Sequence, residues 1–369
     1  MLRRLAAFAL LAAVPSLAGA QSSSDAARVE SAHVRSQRLT TVADAKRLLG
    51  ALAADSMEGR AIGTRGAYRA ARYIASEMKR IGIASLGDSG YFQKVPVAMS
   101  VGAGGRAGRP RLLPGFADLD TVPPERRRTE VNVLGVIRGS DPVLREEVVI
   151  VDGHYDHLGI RAPAVVGGDS IYNGADDDAS GITAVLEMAR QLKQGPPPRR
   201  TVVFAAMTGE EAGLVGVTWY IGHPALPLGK TVANLEIEMI DRPDSLSFGS
   251  GKAWLTGFER STMGEIFQAA GLLIFPDRRP EQNFFSRSDN IGFARRGIVA
   301  HTLSTFALHS DYHRVTDDVD KADFDHMAGV INTAARAVRL LADGPKPTWK
   351  PSGQPEFPTT GRGRGRGGD

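Results

Sequence analysis

The sequence predicts an α/β protein, a single domain with a central mixed, mostly parallel sheet covered by helices on both faces. Three observations predict it. Short, almost wholly apolar runs, such as residues 148–151 and 201–207, have the pattern of strands buried on both faces. Stretches with helical spacing of apolar residues alternate with them along residues 131–341. The 369 residues, 42% hydrophobic and 23% charged, suit a folded domain rather than a solvated chain.

The elements follow in order. Residues 41–53 carry Val42, Ala45, Leu48, Leu49 and Leu52 as a helical stripe. A Gly-rich loop, SMEGRAIGTRG, separates that helix from a second at 66–81, which Gly82 ends. Residues 97–128 are rich in Gly, Pro and Arg without a period, and are expected to form an irregular insertion. Strands are predicted at 131–137 and 148–151, then a helix at 179–194 that buries Ile182, Val185, Leu186, Ala189 and Leu192. Gly195 and three prolines stop it. A strand at 201–207, a helix at 214–221, a strand at 232–239, a helix at 261–270 and a strand at 297–304 come next. A helix at 327–341, with Val330, Ile331, Ala334, Val338 and Leu341 inward, closes the domain.

The ends are of different character. Arg3 and Arg4 precede an apolar run from Leu5 to Val14, and Ala18, Gly19 and Ala20 follow it, which is the layout of a secretory signal peptide over residues 1–20. The run is too short for a membrane span. The expectation is an exported protein, periplasmic or secreted, with a linker at 21–38 and a single folded domain at 39–343. Residues 344–369, with three Arg-Gly repeats, read as a solvated, disordered tail. The formal charge of +4 owes two positive charges to the leader and a net three to that tail, leaving the body at −1. A basic nucleic-acid-binding face is not expected, nor a membrane partner for the mature chain. The sequence has no cysteine, which excludes thiolate metal sites and cysteine nucleophiles.

The chemistry-bearing residues gather where predicted strands end, the edge at which open α/β sheets bind ligands. DGHYDHLG supplies His154, Asp156 and His157, and YNGADDDASG supplies Asp176, Asp177 and Asp178. TGEEAG supplies Glu210 and Glu211; NLEIEMI supplies Glu236 and Glu238; HSDYHRVTDD supplies His309, Asp311, Tyr312, His313 and Asp317. Singly these are weak signals, because acids at a helix start also serve as caps. Gathered in one crevice, such carboxylates would repel one another unless protons or cations neutralised them. Imidazole and carboxylate donors without thiolate suit Zn²⁺, with Mn²⁺ or Co²⁺ as substitutes.

In that order, GHYDHLG, GADDDASG, TGEEAG, EMID and YHRVTDD resemble the co-catalytic zinc aminopeptidases of bacteria, whose relatives include glutamate carboxypeptidase, glutaminyl cyclase and the transferrin receptor. EGRAIGTRG and FSRSDNIGFARRGI extend the resemblance to roughly residues 40–342. It implies two Zn²⁺ ions: His154, Asp176 and Glu238 on one, Asp176, Glu211 and His313 on the other, with Asp176 bridging and Asp156 orienting His154. It implies a non-proline cis peptide after the bridging Asp, here joining Asp176 to Asp177. Glu210 becomes the general base that activates the metal-bridging water, and Tyr312 a donor to the oxyanion. Three carboxylates against two divalent cations leave +1, which one hydroxide neutralises. Glu236, two residues from Glu238 on the same strand, is the rival for its place, and Asp241 stands where the family usually has Gly. His157, His301 and His309 fall outside the expected ligand set, His157 as a structural residue.

The implied activity is an exported dinuclear zinc metallopeptidase, an aminopeptidase acting on peptides with a free amino terminus. Alternatives with the same ligands are a carboxypeptidase, for which Arg287, Arg295 and Arg296 offer cations, a glutaminyl cyclase, or an inactive receptor-like binding module. Ser288 and Asp289 belong to a segment that lies near the substrate pocket in the family.

Overall fold

A computed structural model describes residues 38–101, 107–161, 168–247 and 249–356. The predicted signal peptide, nearly all of the linker and residues 357–369 of the predicted tail lie outside the described residues.

In chain order the strands are β1 Ala84–Ser85, β2 Phe92–Val101, β3 Ala107–Leu112, β4 Arg127–Ile137, β5 Val148–His154 and β6 Gly159–Ile160. They continue with β7 Ile171–Tyr172, β8 Thr201–Met207, β9 Thr231–Ile237, β10 Ala253–Leu255, β11 Ile274–Pro276 and β12 Val299–Ser304. Among the described residues, one mixed sheet has the order β11-β10-β12-β9-β5-β8-β4-β2-β3, with β1 on β4, and β6 and β7 pair separately. The four central strands β12, β9, β5 and β8 are parallel, and β4, β2 and β3 continue the sheet antiparallel.

The strand alternation places a core on each face. Val149 and Val151 of β5 and Val202, Phe204 and Ala206 of β8 join one core with the helices Val42–Leu52, Arg65–Ile81, Gly181–Gln194 and Phe324–Asp343. Their neighbours Val148, Ile150, Val203, Ala205 and Met207 face the opposite core, under the helices Val215–Gly222 and Asn290–Ala294. The predicted architecture is therefore the observed one: apolar on both faces is what two-sided covering by helices requires. None of the helices among the described residues is long and apolar enough to cross a membrane.

Two expectations are corrected. Residues 97–128 are not an irregular insertion: β2 and β3 form an antiparallel pair, and β2 lies along β4 with Phe92 opposite Val133. Their periodicity was hidden because β3, the edge strand, carries Pro110 between Arg109 and Arg111, residues that edges tolerate. Residues 344–356, expected in the tail, are docked. Trp349 bridges to Ser261, its indole N–H donates to the Gly297 carbonyl at 3.0 Å, and its ring lies 5.6 Å from that of His301.

Candidate metal centre

The ends of β5, β8 and β9 bring the site together, because their register is parallel and in step. His154 is the last residue of β5 and pairs with Met207, the last of β8; Glu238 follows the end of β9, its N–H bonded to the Leu303 carbonyl of β12 at 3.2 Å. Glycines let the connecting loops close on the site. Gly209, at φ +71°, turns the chain toward Glu210, and a Cβ there would stand 2.7 Å from Ile62 Cδ1. Gly174, at φ +55°, lies against the His157 imidazole, and a Cβ would meet that ring at 2.5 Å.

The three consecutive aspartates divide their work. Asp177 points between two groups of donors: its Oδ1 is 3.2 Å from His154 Nε2, and its Oδ2 is 3.1 Å from His313 Nε2. Glu238 Oε1, 3.8 Å from His154 Nε2, completes the first group. Glu211 Oε1, 3.2 Å from His313 Nε2 and 2.9 Å from His157 Nδ1, completes the second. Asp178 is a brace. Its Oδ1 accepts the N–H groups of Gly181, at the start of the helix Gly181–Gln194, and of Met239, while its Oδ2 accepts that of His154. Bracing of the helix start and a position facing the donor groups, alternatives for this acidic run in the sequence, fall on different residues, Asp178 and Asp177.

Asp176 is placed differently from the expectation. Its Oδ1 accepts the Asp241 N–H at 2.9 Å and its Oδ2 lies 2.8 Å from His309 Nε2, so both oxygens are turned away from the two donor groups. Asp177 takes the shared position instead, and the non-proline cis peptide joins Asp177 to Asp178, one bond later than expected. The sequence motif left a one-residue ambiguity because all three positions are Asp. His157 is the residue that sequence reasoning missed. The sequence leaves His157 as a structural residue; in the structure its buried Nδ1 faces Glu211 and stands 3.8 Å from Asp177 Oδ2, which adds it to the candidate donors.

The other predicted residues lie as follows. Glu210 and Tyr312 line one partly open cleft with Asp177, Glu238 and His313. Asp156 does not chiefly hold the His154 ring with its carboxylate. The His154 Nδ1 lies 3.1 Å from the Asp156 main-chain carbonyl and 3.8 Å from its Oδ1, which instead accepts the Glu210 N–H at 3.0 Å. A bond from Nδ1–H to that carbonyl leaves the Nε2 lone pair facing Asp177 and Glu238. Glu236 is not the rival it resembled: buried, it accepts from Ser288, Thr302 and the N–H groups of Asp289 and Asn290. His301 bonds Ser261 and Thr256, and Asp289 is fully buried.

Electrostatics point to cations. Burial opposes charge on Asp177, but the surrounding imidazoles of His157, His154 and His313 hold its carboxyl well below the usual range. Burial also opposes charge on His313, yet Asp177 and Glu211 raise it to about 9, and Glu238 is raised to about 6, chiefly by burial. His154 Nε2, His157 Nδ1, His313 Nε2 and Glu211 Oε1 are buried and complete no hydrogen bond, although they face carboxylates or imidazoles at 2.9–3.8 Å. Donors aimed at common points without bonding each other fit metal ions, and the nitrogen–oxygen set fits zinc.

Behind the site, Arg60 is wholly buried and donates to the carbonyls of Leu52, Tyr155, Asn173 and Gly174. Arg242 bonds Asp311 and Asp317, and Asp317 in turn accepts the N–H groups of Asp176 and Asp177.

An α/β sheet whose parallel strands end in two donor groups sharing one carboxylate defines a protein of the zinc-exopeptidase fold class. The chain belongs to peptidase family M28, whose model matches residues 132–338, more than half of its length. A probable zinc metalloprotease of Leptosphaeria maculans is 41% identical over 91 residues, covering 25% of this chain and 20% of that protein. A probable leucine aminopeptidase 2 of Aspergillus oryzae is 28% identical over 243 residues, covering 58% of this chain and 44% of the relative. The chain thus spans less than half the length of these curated relatives. The structure of BSAP, a zinc aminopeptidase from Bacillus subtilis, superposes with a TM-score of 0.60 over 87% of this chain and 99% of that one, at 15% identity. Glutaminyl cyclase of Porphyromonas gingivalis superposes with a TM-score of 0.56 over 81% and 98%, at 13% identity. These two likenesses concern the fold.

Proposed function

We propose that the protein is a dinuclear zinc exopeptidase that removes residues from the free amino terminus of peptides. The observation that carries the reading is Asp177, whose two oxygens face two separate nitrogen–oxygen donor groups in the cleft that Glu210 lines. His154, Asp177 and Glu238 would hold one ion; Asp177, Glu211 and His313, with His157 beside them, the other. Bound zinc would polarise the scissile carbonyl and make water a nucleophile near neutral pH.

The chain's own residues do the rest. Burial first, and the neighbouring acids after it, hold the Glu210 carboxyl well above its ordinary range, while His154 opposes the shift. A carboxylate so raised both takes and returns protons readily. Glu210 receives the proton of the attacking water at its carboxylate as the water oxygen bonds to the carbonyl carbon. It then delivers that proton to the amine nitrogen as the C–N bond breaks. Asp156, through the Glu210 N–H, fixes the loop that carries this base. Tyr312, stacked on the His313 ring with centroids 3.9 Å apart, would donate its hydroxyl to the carbonyl oxygen as charge builds there. The leader pattern of residues 1–20 supports export as part of the same proposal.

The test is metal analysis together with hydrolysis of aminoacyl anilides, with free and blocked amino groups. Two zinc ions per chain and turnover of the free-amine substrates alone are expected. Glu210→Gln should keep both ions and lose turnover by several orders of magnitude. Normal turnover by that variant would remove Glu210 from its role.

A further inference from the structure

We propose that the cleft binds a carboxylate of the substrate through Arg287, so that the preferred peptides carry a negative charge on the part that fills the aromatic half of the site. This rests on the exopeptidase reading of the same cleft and deepens it.

The cleft has two unlike walls. One is the donor wall of Asp177, Glu210, Glu238 and His313; the other is built from Trp254, Phe284, Phe306 and Tyr312, with Arg287 at its exposed rim. The guanidinium lies over the Phe284 ring, 5.1 Å from its centroid, and Phe284 in turn stacks on Trp254 at 5.2 Å with 30° between planes. Cation–π attraction to a ring that is itself packed gives the guanidinium a preferred position. The main chain beneath it is held in a turn, the Arg287 N–H donating to the Phe284 carbonyl at 3.0 Å.

Arg287 has no carboxylate partner among the described residues. That sets it apart from Arg279, which is paired with Asp244, and from Arg242, which is paired with Asp311 and Asp317. A second donor in the same wall is also unspent. Trp254 is 2% exposed, and its indole N–H has no acceptor among the described residues. A buried donor without an acceptor is destabilising, and a substrate oxygen would supply the missing acceptor. Two donors and no acidic side chain on the aromatic wall favour an oxygen-rich anion over an apolar or cationic group. The guanidinium also repels an α-ammonium from that half and leaves it to the acidic wall, so the charge pattern fixes the direction in which the substrate lies.

The carboxylate has two possible sources, an acidic side chain or the terminal carboxylate of a short peptide. The zinc-loaded wild-type protein, Arg287→Met and Arg287→Glu are compared in calorimetric binding and in turnover. One arm pairs glutamyl with glutaminyl and leucyl anilides; the other pairs alanyl-alanine with alanyl-alaninamide. In whichever arm holds the true source, the wild type should prefer the carboxylate. Arg287→Met should then weaken binding of that ligand about 10–100-fold, leave its neutral partner within about twofold, and Arg287→Glu should reverse the preference. Equal effects of Arg287→Met on charged and neutral ligands, or no carboxylate preference in either arm, overturns the proposal. Carboxylate binding that depends on Arg287 without turnover would uphold it and instead sink the exopeptidase reading.

Discussion

The carboxylate of Asp156 accepts the main-chain N–H of Glu210 at 3.0 Å, tying the loop after β5 to the loop after β8. The bond fixes the proposed base relative to His154, which ends the neighbouring strand. Asp156→Ala should therefore lower kcat about 10–100-fold while zinc content stays at the wild-type level. Loss of zinc in that variant would show that Asp156 serves His154 and not the base.

Neighbouring aspartates give a sharper contrast. Asp177→Asn should lose zinc from both donor groups, because an amide cannot supply an anionic oxygen to each. Asp176→Asn should keep both ions, since its oxygens serve His309 and the Asp241 N–H. Metal content of the purified variants, read by elemental analysis, decides the matter; the reverse pattern would return the bridging position to Asp176.

His157 offers a graded effect. As a fourth donor beside Glu211 and His313, its replacement by Ala should weaken the second ion by about 10–100-fold and spare the first. Titration of the metal-free protein with Co²⁺, followed by its visible spectrum, separates the two affinities. Two unchanged binding steps would make His157 a packing residue.

Arg60 should matter for folding. Arg60→Met leaves the carbonyls of Leu52, Tyr155, Asn173 and Gly174 without their donor in a buried setting, and each such loss costs about 1–3 kcal/mol. A fall in unfolding free energy of at least ~3 kcal/mol is expected in urea. Less than ~1 kcal/mol would mean that those carbonyls find other donors.

His301 predicts a pH dependence. Burial first, with a smaller contribution from Arg260, lowers it from 6.5 to about 4, against the pull of the Thr256 carbonyl. The unfolded chain then binds a proton between those values and the folded chain does not. The contribution to stability is complete above pH 6.5 and falls away as pH drops toward about 4, by about 3 kcal/mol in all. His301→Gln should flatten the stability curve across that interval; an unchanged slope would assign the acid sensitivity to other groups.

Much of the site was legible because strands and motifs speak through separate signals. The apolar runs of β5, β8 and β9 located the edge where ligands gather, and His154, Glu210, Glu211, Glu238 and His313 stand at that edge. Position along a run of identical residues was not legible: Asp176, Asp177 and Asp178 differ only in which way the chain turns after Gly174. Nor was the reach of His157, which depends on a glycine packed against its ring. Trp349 was obscured by its setting, since a single aromatic among prolines and glycines has no periodicity, and only Ser261 and Gly297, far away in sequence, give it a place.

The donors that Asp177 joins come from five separated stretches between His154 and His313, and no contiguous peptide contains even one complete group. On the proposed reading zinc uptake would act as a gauge of maturation: the group of His154, Asp177 and Glu238 needs β5 and β9 aligned, and the other group needs in addition the end of β8 and the loop of His313. Capture of zinc there would draw the folding equilibrium toward the finished molecule. A chain interrupted before His313 would emerge from synthesis with a partial grip on metal, and chelation would be felt as lost rigidity across the whole sheet edge rather than at one loop.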